Sequence, residues 1–145
     1  MAKITAVSIS RKKGMRKTNV DKAYLEVEYG IQGDAHAGDW HRQVSLLAKE
    51  SIEKMQRMGL DVKAGDFAEN LTTEGIELVT LPVGTKLSVG NEVLLEVTQI
   101  GKICHDRCAI YYQAGDCVMP KEGIFVRVLT AGHIVPEDEI TIINQ

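Results

Sequence analysis

The chain has 145 residues, which fits one domain that can bury a core without disulfide or metal support. Its net charge of -3 at pH 7 argues against general binding to a nucleic-acid backbone. No segment approaches the ~18 apolar residues of a membrane span, and the N-terminus lacks the apolar stretch of a signal peptide. The three cysteines, an odd number within one segment, argue against an exported disulfide scaffold. We therefore expect a single-domain cytoplasmic protein that does not bind membranes.

Short apolar runs separated by glycines predict a mainly β domain with one or two helices. Strands are expected over Ile4–Ile9, Tyr24–Tyr29, Lys86–Val89, Val93–Gln99, Ile124–Leu129 and Glu139–Ile143. The Gly90-Asn91 dipeptide predicts a tight turn that makes a hairpin of the third and fourth of these strands. Many short strands with glycine turns favour a closed or partly open β-barrel, or a sandwich, over a doubly wound sheet.

One long helix is predicted over Ala48–Met58, because Ile52, Met55 and Met58 recur every three residues and Gly59 follows as a stop. We expect the methionines to fill the core. A shorter helical turn is predicted over Asp106–Tyr111. The only dense basic run is interpreted as a solvated loop, with contact to a phosphate or an acidic partner as the alternative; it consists of Arg11, Lys12, Lys13, Arg16 and Lys17.

Three polar, glycine-rich segments fit neither a strand nor a helix pattern. The first, Gly30–Arg42, holds glycines that permit tight turns and close approach to a ligand. It is interpreted as an anion- or substrate-binding loop, in which His36, His41 and Arg42 would add donors. A metal site formed by Asp34, His36, Asp39 and His41 is one alternative, and a surface loop with incidental histidines is another.

The second segment, Ala64–Gly75, places Glu69 and Asn70 between apolar Phe67 and Leu71. A carboxylate and an amide in such a position often project from a loop that its neighbours hold in place. Thr72 and Thr73 could donate to a phosphate or a pterin. A capped turn explains the same pattern equally well.

The third segment, Gly101–Cys117, contains all three cysteines and leaves four interpretations open. The set Cys104, His105, Cys108 and Cys117 could bind structural zinc. The cysteines could instead be buried apolar residues. One of them could be a nucleophile or sulfur acceptor, or a ligand to a soft metal. The last two need an activated thiol, and Cys108 suits them because Lys102, His105 and Arg107 favour a thiolate. Cys104 could then pair with Cys108 as a disulfide or relay a persulfide.

The order and spacing of several motifs resemble the MOSC family, the domain at the C-terminus of molybdenum cofactor sulfurases. The similarity covers roughly Tyr24 to Ile143 and looks closest to the short, stand-alone bacterial members. The matching motifs are Gly33–Gly38, Arg42–Leu46, Gly65–Leu71, Gly84–Leu87, the cysteine segment Gly101–Cys117 and Gly123–Val128.

The resemblance implies a fold like the barrel domain of pyruvate kinase and a role with the molybdenum cofactor, molybdopterin. It assigns Cys108 as a molybdenum ligand or persulfide carrier, with Cys104 as a second reactive thiol. The pterin pyrophosphate is expected against the loops Gly33–Arg42 and Gly65–Thr73. The expected cofactor-binding residues are Gly33, Asp34, His36, Gly38, Arg42, Asp66, Glu69, Asn70, Thr72, Lys102 and Arg107.

The implied partners are a cysteine desulfurase bound to pyridoxal phosphate, or proteins that make or use the cofactor. The chain contains no desulfurase domain and lacks the N-terminal domain of the larger amidoxime-reducing relatives, which favours a carrier or insertion role. One alternative is a molybdenum-dependent reductase of N-hydroxylated compounds that needs an electron donor. A zinc-stabilised binding module without catalysis is another. The oligomeric state is left open.

Overall fold

A computed structural model describes residues 2–10, 17–35, 37–40, 43–59, 61–67, 69–100 and 123–143. Within these ranges the chain is mainly β with one α-helix. The first strands are β1 (Lys3–Ile9), β2 (Thr18–Val20), β3 (Ala23–Glu26), β4 (Gly30–Ile31) and β5 (Val44–Ala48). Helix α1 (Lys49–Arg57) follows, and then β6 (Leu71–Glu74), a 3₁₀ turn (Leu78–Thr80), β7 (Lys86–Val89), β8 (Val93–Ile100), β9 (Ile124–Thr130), β10 (Gly132–Ile134) and β11 (Ile140–Ile143).

The described strands form two sheets. The larger has the order β11-β7-β8-β9-β5-β6-β1-β2, and the smaller has the order β10-β3-β4. Strands β5 and β6 are parallel, with Leu46 opposite Leu71, and α1 is the crossover between them. The strands on either side of this pair, β9 and β1, run antiparallel to it. The crossover therefore places the start of β5 beside the start of β6 and the end of β1.

The side chains on the two faces of the central strands pack into two different apolar clusters. Leu46 and Val126 belong to the large cluster, whereas their chain neighbours Leu47 and Phe125 point into the smaller one. The alternation follows from the two-residue period of a strand. Helix α1 covers the smaller cluster, which consists of Leu47, Ile52, Met55, Val62, Phe67 and Phe125.

The strongest local signals in the sequence are confirmed. Helix α1 begins and ends within one residue of the predicted bounds, and Gly59 follows with φ +94°. The β7–β8 hairpin turns at Gly90, which has φ +61°. Met55 is buried as expected, but the prediction is wrong for Met58, which is 63% exposed because it lies at the C-cap beyond the buried face.

Several strands differ from the expectation. β3 ends at Glu26, and the residues predicted to continue it, Val27 and Tyr29, are exposed in a turn. The second polar segment was expected to be a loop throughout, but its last part, Leu71–Glu74, is strand β6. Its pairing with β5 and β1 involves residues far away in sequence, which a local pattern does not reveal.

Closure into a barrel is not confirmed, because the order of the larger sheet has two ends, β11 and β2. Short contacts do join residues 2–4, at the start of β1, to residues 138–140, at the start of β11. Lys3 forms a bridge with Glu139, the Ile140 N–H donates to the Ala2 carbonyl at 2.9 Å, and the Ile4 N–H donates to the Asp138 carbonyl at 2.8 Å. In the described part of the chain, no helix has the length and apolar character needed to cross a membrane.

Candidate functional site

Asn70, the residue before β6, fastens three strands together where their ends meet. Its Nδ2 donates to the Ser8 carbonyl of β1 at 3.1 Å, and its Oδ1 accepts from the Ser45 N–H of β5 at 3.0 Å. The Ser8 N–H donates to the Asn70 carbonyl at 2.7 Å. Because Asn70 is 1% exposed, these bonds form away from water and fix the segment before β6 to the sheet.

A buried ion pair lies beside this junction. The Lys17 Nζ donates to the Asp34 Oδ1 at 2.7 Å, and both side chains are fully buried. The same Asp34 oxygen accepts from the Ser10 N–H at 3.1 Å. The prediction of a solvated loop is therefore wrong for Lys17. A buried ammonium needs an opposite charge, and the partner lies on the first glycine-rich loop.

The second glycine-rich segment approaches the same lysine through its backbone. The Lys17 N–H donates to the Gly65 carbonyl at 2.9 Å. Gly65 has φ +94°, and a Cβ on it would lie 2.5 Å from the Lys17 carbonyl oxygen. Glycine is required there both by the backbone conformation and by the close approach. Residues 17, 34 and 65 are thus held together, which brings the two glycine-rich loops to the same lysine.

Glu69 is a fully buried carboxylate within this segment. It accepts from the Gly65 N–H at 3.0 Å, the Phe67 N–H at 3.2 Å and the Thr72 hydroxyl at 3.1 Å. Removal from water raises the pKa of Glu69, and the hydrogen bonds that its carboxylate accepts oppose that rise without cancelling it. The buried carboxylate of Glu69 therefore stabilises the turn that contains Gly65 and Phe67 by accepting hydrogen bonds from its backbone.

A cleft of about 560 Å³ opens next to the ion pair. Its described lining combines two lysines, two aspartates, a hydroxyl and an amide, from Lys17, Thr18, Asn19, Asp61, Lys63 and Asp66. Lys63 is exposed, whereas Asp66 is held at the turn by accepting from the Lys63 N–H at 3.0 Å. The cleft offers both donors and acceptors to a polar ligand.

The two ends of the first glycine-rich loop are held together by Gln43. Its Oε1 accepts from the Val128 N–H at 3.0 Å, and its Nε2 donates to the Glu28 Oε2 at 3.2 Å. Gly30, with φ +117°, approaches so closely that a Cβ would lie 2.6 Å from the Gln43 carbonyl oxygen. This closure fixes where the loop leaves and rejoins the sheet.

Some of the expected site residues lie among the described residues, and the others do not. Gly33 and Gly38 lie in the turns around Asp34, and Asp66, Glu69, Asn70 and Thr72 lie at the junction just described. Of these, Glu69, Asn70 and Thr72 are buried and hydrogen-bonded to protein groups. The remaining expected residues lie outside the described residues: His36, Arg42, Lys102, Cys104, Arg107 and Cys108.

The alternatives for metal binding also depend on residues outside the described ranges, namely His36, His41, His105 and Cys117, and so does the helical turn predicted over Asp106–Tyr111. Among the residues that the structure describes, no group of three or more histidine, cysteine, aspartate or glutamate side chains could hold a metal. Ile100 and Ile124, which are described residues on either side of this part of the chain, are direct register partners.

Sequence reasoning missed Lys17, Thr18 and Asn19 as part of the site. Lys17 was assigned to a basic run, and its partner lies 17 residues away. β2 has only three residues, which is too short for an alternation of polar and apolar residues to indicate a strand.

A sequence model of the MOSC domain matches residues 32–141. No curated protein matches the sequence significantly. The fold is similar to that of the YuaD protein from Bacillus subtilis, with a TM-score of 0.78 and 18% identity, covering 97% of this chain and 94% of that one. It is also similar to YiiM from Geobacillus stearothermophilus, with a TM-score of 0.75, 20% identity, and coverage of 99% and 76%. YiiM from Escherichia coli gives a TM-score of 0.69, 20% identity, and coverage of 99% and 70%.

Proposed function

Because the chain belongs to the MOSC domain family, we propose that it binds the molybdenum cofactor or carries sulfur for its maturation. The family is associated with functions related to this cofactor. The observation that carries the proposal is the convergence of both described glycine-rich loops on the buried Lys17–Asp34 pair, beside a polar cleft.

The residues that line the cleft fit the pterin end of the cofactor. A volume of about 560 Å³ lies in the range of small-molecule and cofactor sites. Lys63, Thr18 and Asn19 supply donors for a phosphate. Asp61 and Asp66 supply acceptors for the amino-pyrimidine edge of a pterin, and they also limit how much negative charge the cleft attracts. When bound, the cofactor supplies a molybdenum centre held by dithiolene sulfurs.

Cys108 is proposed as the thiolate that ligates the metal or carries the sulfur, with Lys102 and Arg107 favouring its ionised form. As a carrier, the Cys108 thiolate would attack the outer sulfur of a persulfide on a cysteine desulfurase. That sulfur would move to Cys108, and the donor cysteine would leave as a thiolate. Cys104 is proposed to relay the sulfur.

The proposal is tested by adding molybdopterin to the purified protein and measuring the pterin and molybdenum retained after gel filtration. We expect Lys63→Gln to retain less pterin than the parent, whereas Lys86→Gln, on distant β7, retains the same amount. Cys108→Ser should retain pterin but lose molybdenum, or lose the added sulfur seen by intact mass after incubation with a desulfurase. Retention that none of these variants alters would overturn the assignment of the cleft and of Cys108.

A further inference from the structure

A second cavity, of about 400 Å³, lies apart from the cleft beside Lys17 and shares none of its described lining residues. It lies beside β8 and β9, in the middle of the strand order of the larger sheet, whereas the first cleft lies beside β2 at one end of that order. We call it the Trp40 cavity. The side chains that define it here are Glu28, Asp39, Trp40, Val83, Glu96 and Arg127.

The Trp40 cavity combines negative charge with exposed apolar surface. Its described lining holds three carboxylates and one guanidinium. The guanidinium is already matched, because the Arg127 Nε donates to the Glu96 Oε1 at 2.7 Å and the Nη1 donates to the Glu28 Oε1 at 3.2 Å. Among the described lining residues, two formal negative charges are therefore left over.

Apolar groups stand beside these charges. Trp40 is 38% exposed and Val83 is 62% exposed, so both present apolar surface to the cavity. An indole face attracts cations through its quadrupole, most strongly when the cation is partly removed from water. An anionic or neutral ligand would gain nothing from the excess carboxylates, whereas an ammonium group gains from both.

The charged wall of this cavity is held in place. Glu28 has φ 55°, a conformation that non-glycine residues adopt only where the surroundings fix it. Its N–H donates to the Val128 carbonyl at 3.1 Å, and its carboxylate is held by Arg127 and by Gln43. A ligand would therefore meet carboxylates that are already ordered, which reduces the entropy lost on binding.

We propose that the Trp40 cavity binds an organic ammonium ion that carries an aromatic or apolar group. The ammonium lies among the carboxylates of Asp39, Glu28 and Glu96, and the apolar group packs against Trp40 and Val83. Asp39 and Trp40 belong to the first glycine-rich loop, but the inference does not rest on the proposed function, because it uses none of the residues that line the cleft and none of the cysteine segment.

Trp40 is the only tryptophan of the chain, so its fluorescence reports directly on the cavity. The probe is phenethylammonium, titrated at constant ionic strength, with 2-phenylethanol as the neutral control and phenylacetate as the anionic control. We expect a saturable change in emission with the ammonium alone, with a Kd of about 1–10 mM, as is usual for a fragment of this size. Equal responses to all three probes, or none, would overturn the proposal.

Two substitutions test the charges in opposite directions. Asp39→Asn should weaken binding of phenethylammonium about three- to fivefold, whereas Asp21→Asn, at an exposed position outside the cavity, should leave it unchanged. Arg127→Gln should strengthen it about fivefold, because Glu28 and Glu96 lose their internal cation. If Arg127→Gln does not fold, as judged by circular dichroism, the two aspartate variants still decide. An unchanged affinity of Asp39→Asn for phenethylammonium would refute the proposal that the carboxylates bind the ammonium group.

Discussion

Substituting Asp34 by asparagine tests whether the buried ion pair holds the two loops together. Asparagine keeps the volume and a carbonyl oxygen, so the hydrogen bond from the Ser10 N–H can persist. It removes the charge that faces the Lys17 ammonium at 2.7 Å, and both side chains are fully buried. Removing one partner of a buried pair costs about 3–5 kcal/mol, because the remaining charge lacks compensation.

That cost is a large share of the free energy of unfolding, which is about 5–15 kcal/mol for a typical domain. With a urea m-value of about 2 kcal/mol/M, Asp34→Asn should lower the unfolding midpoint by about 1.5–2.5 M. The assay is urea unfolding of Asp34→Asn, Lys17→Met and the double variant, followed by circular dichroism. The free energy of unfolding lost in the double variant should be about 2 kcal/mol smaller than the sum of the losses in the two single variants.

The control is the pair between Lys3 and Glu137, which has a similar distance, 2.6 Å, but lies at the surface. Glu137→Gln should leave the midpoint unchanged within error, because exposed pairs are screened by water. Losses from Asp34→Asn and Lys17→Met that simply add in the double variant would refute the reasoning that the two charges depend on each other.

Three further predictions concern the same junction. Glu69→Gln should destabilise the protein by about 1–3 kcal/mol near pH 4 through lost hydrogen bonds. Burial raises the pKa of Glu69 in the folded protein above its ordinary value of 4.5. As the pH rises from 4.5 through the folded-state pKa, the parent therefore loses a contribution to its stability that the Glu69→Gln variant never had. The urea midpoints of the two proteins should therefore converge towards pH 7, and a constant gap would contradict this. Gly65→Ala should cost about 1–3 kcal/mol more than Gly59→Ala in urea unfolding, because both have φ +94° but only residue 65 meets the Lys17 backbone; equal costs would show that the contact relaxes freely. Asn70→Ala should cost about 1–3 kcal/mol for each buried group it leaves unpaired, and faster amide exchange at the Ser45 N–H is the confirming measurement.

Local patterns predicted the elements that depend on local chemistry. The three-residue spacing of Ile52 and Met55 and the stop at Gly59 predicted α1, and Gly90 predicted the hairpin turn. β6 escaped prediction, because Leu71–Glu74 forms a strand only through its pairing with β5 and β1. The short apolar runs of the sequence predict strands, but they do not specify which strands pair. The expectation of a barrel therefore could not be derived from these runs alone.

The candidate site was predictable in outline only. Glycine-rich polar loops indicated that Asp34 and Glu69 belong to segments with a special role, and the structure brings Asp34 and Gly65 to the same lysine. The role of Lys17 was not predictable, because a lysine in a basic run normally faces water and nothing near it in sequence announces a buried partner. The assignment of Cys108 remains a prediction from the resemblance and from its basic neighbours.

The position of Asn70 has a consequence for how the chain folds. Its side chain joins residues 62 and 25 positions away in sequence, so both pairings must exist before it can make its hydrogen bonds. Contacts of such separation form late, since the chain must first lose the entropy of closing those loops. A nascent or partly folded chain would therefore have its helix and its hairpin but not this junction. Ligand capture at the cleft would then report that folding is complete.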